Sequence, residues 1–180
     1  MKRKGENCLM NQEYYTKHYI VTALFKLMHT TEYSAISISD ITSKAGVGRA
    51  TFYRHFKTKE DVILYWFNLN KDIFENRQKF IPRCKEDYRE IILSVMTHLK
   101  EQKEPFKLLV RAHLEYLYLQ YLNARFSEMF RSETKFPKNA FYPIGYAGML
   151  FNVSIQWILE DCATPIEEVA EVLLSEVYPS

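Results

Sequence analysis

Ser37-Ile38-Ser39-Asp40-Ile41-Thr42-Ser43-Lys44-Ala45-Gly46-Val47-Gly48-Arg49-Ala50-Thr51-Phe52-Tyr53-Arg54-His55-Phe56 is the stretch that decides the fold. Ser37 with Asp40 three positions on is a capping box, with Asp in place of the usual Glu or Gln. It opens a short helix that carries Ile38, Ile41 and Ala45 inward. Gly46 supplies the left-handed conformation that ends such a helix, and Gly46-Val47-Gly48 reads as a tight turn. Arg49 to Phe56 makes the next short helix, with Phe52 and Phe56 one turn apart on the core side.

Two short helices joined in this way form a helix-turn-helix. The first braces the second, and the second offers its N-terminal half to the major groove of duplex DNA. Arg49, Ala50, Thr51, Tyr53, Arg54 and His55 remain for the outer face. An outward Tyr among Arg and His suits phosphates and base edges. Five Lys or Arg and no acid lie between Lys44 and Lys59. Thr58-Lys59-Glu60-Asp61 opens a further helix whose N-terminus, with Lys59, is a ready phosphate site.

Working outward, the remaining sequence is helical. Gly and Pro number only 5 and 6 in 180 residues, too few for the turns of an all-β chain, and 47% apolar residues are enough to build a core. Residues 1–10 read as a loose basic tail. A helix then runs to about Thr30 with Ile20, Leu24, Leu27 and Met28 on one face. Val62, Trp66, Leu69 and Ile73 continue the helix that starts at Thr58, to about Arg77, and Ile81-Pro82-Arg83 breaks the chain. Helical patterns follow over Glu86–Lys103 and over Phe106–Phe130, the latter with one break, and residues 132–140 read as a loop. Phe141–Asp161 and a last helix from Ile166 complete an all-α chain of about nine helices. Its domains are expected at 1–60, for DNA binding, and 61–180, for regulation and dimerisation. Residues 1–65 carry ten basic and six acidic side chains, a net +4, against −2 for the rest, which places a polyanion partner at the N-terminal end.

Residues 38–61 resemble the signature of the TetR family of transcriptional regulators: an Ile/Ala-rich helix, Ala45-Gly46-Val47, a small capping residue, Thr51-Phe52-Tyr53 with Phe56, and Lys59-Glu60. Gly48 departs from the family's usual Ser, and Thr42 from its commoner Ala. The resemblance covers about residues 12–65 and is architectural beyond them. It implies an all-helical homodimer on a palindromic operator, acting in the cytoplasm, most often as a repressor released by a small effector. It also implies phosphate contacts for Thr51, Tyr53, His55 and Lys59, and base or groove contacts for Arg49, Ala50 and Arg54. The alternative is a regulator, a repressor or an activator, whose C-terminal domain answers to a protein.

Aromatics are crowded between Trp66 and Phe130, so Phe67, Phe74, Met96, Phe106, Leu109, His113 and Tyr116 are candidates for the wall of a pocket taking a small apolar or aromatic effector. Asn139–Leu159 is uncharged for 21 positions, but Asn139, Pro143, Asn152, Ser154 and Gln156 interrupt it. It reads as an interface helix and not as a membrane span. Gly148, Phe151, Ile155 and Ile158, with Ala170, Leu173 and Val177 of the last helix, are the candidate dimer contacts. Cys8, Cys84 and Cys162 form no disulfide framework, which fits a reducing compartment. His18, His29 and His98 have no Cys or acid at metal spacing, so neither a metal nor a cofactor is expected. The sequence contains no nucleophile motif, phosphate loop or paired carboxylates, so an enzyme is the remote alternative.

Overall fold

The computed structural model describes the backbone of residues 3–69, 84–132 and 141–175, and the side chains of 12–69, 84–128 and 141–175. Nine α-helices and no strand lie among the described residues: α1 Arg3–Met28, α2 Ile38–Ala45, α3 Arg49–His55, α4 Lys59–Leu69, α5 Lys85–Glu101, α6 Lys103–Arg111, α7 Tyr116–Ser132, α8 Phe141–Leu159 and α9 Ile166–Ser175. The 3-10 turn Tyr33–Ala35 joins α1 to α2. The chain divides into two compact units, Met1–Trp66 and Phe67–Ser180. The division falls inside α4.

In the first unit Ile20, Leu24 and Met28 of α1 are buried with Ile36, Ile41, Phe52, Phe56, Val62, Ile63 and Trp66. The loose tail expected for residues 1–10 is corrected, because α1 starts at Arg3. That segment holds no proline and is rich in helix formers, so the helix propagates back from its packed part. The capping box is complete. Asp40 N–H donates to Ser37 Oγ at 3.1 Å, and Ser37 N–H donates to Asp40 Oδ2 at 2.9 Å. Thr58 and Asp61 repeat the device at α4, where Asp61 N–H donates to Thr58 Oγ1 at 3.1 Å. Thr42 is buried, and its hydroxyl donates to the Ser39 carbonyl at 3.1 Å, so a polar side chain is accommodated where alanine would need no partner.

In the second unit α7 packs on α8 and α9 packs on α5. The expected break within 106–130 falls between α6 and α7. His113, read from sequence as helical, lies in that connection at φ 56. Leu114 N–H reaches back to the Leu109 carbonyl at 2.9 Å, which closes the end of α6. Asp161 and Cys162 follow α8 at φ 59 and 58, conformations strained for side-chain-bearing residues. Both Lys103 Nζ and Lys107 Nζ donate to Asp161 Oδ1, at 2.8 and 2.7 Å. The two ammonium groups hold the Asp161 carboxyl down at about 2. Trp157 Nε1 donates to the Thr164 carbonyl at 2.9 Å across the same turn. No described helix is long and apolar enough to cross a membrane. Of the loop expected over 132–140, Ser132 is instead the last residue of α7; the rest of it, the expected helix end near Arg77 and the break at 81–83 lie outside the described residues.

Candidate nucleic-acid interface

Gly46 ends α2 at φ 68, and its N–H reaches the Ser43 carbonyl. A Cβ there would meet nothing within 4 Å, so the constraint on this position is conformational and not steric crowding. Gly48 starts α3 without a side-chain cap, in extended conformation, and its carbonyl takes the N–H groups of Thr51 and Phe52 at 2.9 and 3.1 Å. Phe52 is fully buried, with ring centroids 5.9 Å from Phe56 and 5.6 Å from Tyr53. That anchor leaves Arg49, Ala50, Tyr53 and Arg54 exposed, with Thr51 half-buried beside them.

Two candidates sit elsewhere. The His55 side chain is only 11% exposed and turns towards α1, with Nδ1 3.8 Å from Glu13 Oε1. It is not on the outer face with its neighbours, because a residue three past Phe52 on a seven-residue helix rotates back to the core side. Lys59 also turns inward: its Nζ donates to the carbonyls of Tyr33 and Ile36 at 2.8 and 2.7 Å. Sequence reasoning missed Glu13 and Tyr33, which reach these side chains over long separations with no local pattern to mark them.

The model of the "Bacterial regulatory proteins, tetR family" matches residues 20–65, the span that carries this geometry. Residues 20–65 thus form a DNA-binding domain of the TetR family. A fatty acid metabolism regulator protein of Bacillus subtilis is 32% identical over 71 residues, 39% of this chain and 34% of that protein. The dhaKLM operon transcriptional activator DhaS of Lactococcus lactis is 31% identical over 97 residues, 52% of this chain and 48% of that one. The matches therefore span about a third and about half of the length of these relatives. Among solved structures, Lin0861 from Listeria innocua shares the fold with a TM-score of 0.73 at 21% identity, covering 94% of this chain and 91% of that one.

In the second unit, Phe67, Met96, Phe106 and Leu109 are buried. Phe67 and Phe106 lie 5.9 Å apart between ring centroids, and Tyr118 packs on both, at 5.5 and 4.8 Å. Tyr118 lies in the same buried cluster, and sequence reasoning had not singled it out; burial pushes its phenol well above the ordinary range. His113 and Tyr116 are exposed, so neither lines an enclosed wall, and Phe74 lies outside the described residues. Of the dimer candidates, Ile158, Ala170 and Leu173 are fully buried in the unit's own core and cannot face a second copy. Gly148, Phe151 and Ile155 are half-buried, and Val177 lies outside the described residues. The apolar residues that α8 and α9 expose are instead Ile144 at 50%, Leu159 at 49% and Val172 at 55%.

His55 is expected to give the DNA-binding unit a pH-dependent stability. Burial lowers its pKa below the ordinary 6.5, with Lys17 and Arg54 adding to the effect and Glu13 opposing it. The unfolded chain therefore binds a proton that the folded chain resists. Stability is retained above the unfolded value and falls as pH drops below it. Urea midpoints measured at pH 7 and about pH 5 are expected to fall further for the wild type than for His55→Gln. Equal falls would remove His55 as a cause.

Proposed function

We propose that this regulator binds a palindromic operator as a homodimer in the cytoplasm, acts as a repressor, and is released by a small apolar or aromatic effector. The observation that carries the DNA reading is the acid-free outer face of α3, where Arg49, Ala50, Tyr53 and Arg54 are exposed and Thr51 lies beside them over the buried Phe52. Thr51 and Tyr53 meet phosphates, and Arg49, Ala50 and Arg54 meet the groove. Two copies would set their α3 helices about one DNA turn apart, roughly 34 Å, or a small multiple of it.

Ile144, Leu159 and Val172 support the homodimer, since a second copy would cover them. The glycines at 145 and 148 leave room for close helix approach. An effector finds an aromatic core in the same unit. Glu115 Oε2 and Asn123 Oδ1 are buried there without a hydrogen-bond partner among the described residues, and they are candidate polar anchors.

Light scattering at micromolar concentration tests the dimer. Ile144→Asp with Leu159→Asp is expected to give a folded monomer that binds operator at least about 100-fold more weakly, the loss that follows from uncoupling two half-sites. A wild-type monomer would overturn the dimer reading. A thermal-shift screen of apolar and aromatic metabolites, followed by operator binding with each hit, tests the effector.

A second reading, an activator controlled by a protein partner, is favoured by two observations. The similar DhaS is itself named an activator, and Phe67, Phe106 and Tyr118 fill space by packing on one another. It would gain if no small molecule altered DNA affinity.

A further inference from the structure

We propose that Lys59 and Tyr33 form a clasp that closes the two ends of the helix-turn-helix on each other, so that Lys59 positions α3 and does not neutralise a phosphate. The segment that carries α2 and α3 enters after the turn Tyr33–Ala35 and leaves into α4 at Lys59. Those two ends are joined directly. Lys59 Nζ donates to the Tyr33 and Ile36 carbonyls at 2.8 and 2.7 Å and stands 4.2 Å from the centroid of the Tyr33 ring. The Tyr33 hydroxyl donates to Glu60 Oε1 at 2.6 Å, bridging 27 positions of sequence.

The contacts form one unit. Two of the three ammonium protons are directed at carbonyls, and the face of an aromatic ring lies against the charge, a favourable place for a cation. Glu60 fixes that ring through its hydroxyl. An ammonium held on two carbonyls and a ring would have to give up those contacts, or use its one remaining proton, to meet a phosphate. The neighbouring basic residues Arg49 and Arg54 are exposed and contribute the counterion-releasing charge.

Between the joined ends, α2 is capped by Ser37, directly after Ile36, and only three residues separate the end of α3 from Lys59. A shift of α4's first turn relative to the turn at Tyr33 would therefore move both ends of the recognition unit together. The clasp holds α3 at one setting relative to α2 and α4.

The inference rests on the DNA-binding reading of α3 and is separable from it. The test uses the full-length protein, a duplex selected by the wild type from random sequence, and an unrelated duplex, each titrated with salt. Lys59→Met is expected to weaken binding to the selected duplex about tenfold, the scale of one lost charged hydrogen bond. The slope of log affinity against log salt should stay at the wild-type value, and binding to the unrelated duplex should not change. Lys59→Arg should recover most of the loss, because a guanidinium can also donate to two carbonyls. Tyr33→Phe should act in the same direction and less strongly.

A slope reduced by about one on both duplexes in Lys59→Met, with Tyr33→Phe silent, is the signature of a phosphate contact and would overturn the proposal. So would unchanged binding in Lys59→Met. If circular dichroism shows Lys59→Met unfolded, Tyr33→Phe and Glu60→Gln decide. Weaker selected binding at constant slope supports the clasp, and unchanged binding in both overturns it. A wild type that binds neither duplex would remove the DNA reading itself, and the clasp with it.

Discussion

Phe52→Ala is expected to unfold the DNA-binding unit or leave it barely folded. Phe52 is fully buried and is the largest side chain through which α3 is anchored. Its ring packs beside Phe56, in a core completed by α1 and α4 side chains such as Leu24 and Ile63. Truncating a buried Phe costs about 3–5 kcal/mol, from lost apolar transfer and from the cavity left behind. A domain of this size has only about 5–15 kcal/mol in hand. Urea unfolding followed by far-UV circular dichroism should show the midpoint collapse, with DNA binding lost at the same time. Phe52→Leu should restore a cooperative transition. A Phe52→Ala midpoint equal to the wild type would mean that α3 is held by something other than this ring.

Arg54→Ala is expected to separate recognition from folding. Arg54 is exposed, so its removal leaves no buried group unpaired and little change in the unfolding midpoint. A bidentate contact to a guanine edge is worth about 1–3 kcal/mol of discrimination, or about 5- to 150-fold in affinity for the selected duplex. Binding to unrelated duplexes should fall much less. Competition titrations at fixed salt measure the ratio, and an unchanged ratio would take Arg54 off the base edges.

The parts of this fold that could be read in the sequence are those whose physics acts within one helical turn. Ser37 with Asp40, Thr58 with Asp61, Gly46 at its positive φ, and Phe52 with Phe56 each declare themselves in three or four residues. What escaped is set by partners far along the chain. Nothing near Lys59 announces that Tyr33 will lie under its ammonium, and nothing near His55 points to Glu13.

Three of the seven dimer candidates, Ile158, Ala170 and Leu173, are core residues that escaped for a different reason. α8 has no charged residue, so its pattern marks two apolar stripes without saying which is the inner one. Packing against α7 settles it, leaving Ile158 inside and Leu159 outside. Glycine is the usual residue at helix ends of the left-handed kind, so His113, Asp161 and Cys162 passed as ordinary helix or turn.

The Asp161 anchor has a consequence for how this chain can vary. Two lysines one turn apart on α6 converge on the same oxygen, Oδ1, so the contact is redundant on the cationic side. Loss of either lysine leaves the carboxylate held by the other, and the strained backbone at 161 and 162 keeps a tether. Position 161 has no such duplicate. Mutational drift can therefore sample Lys103 and Lys107 one at a time at little cost, while replacing Asp161 removes both contacts at once. A pair of individually silent lysine replacements should become costly only when combined.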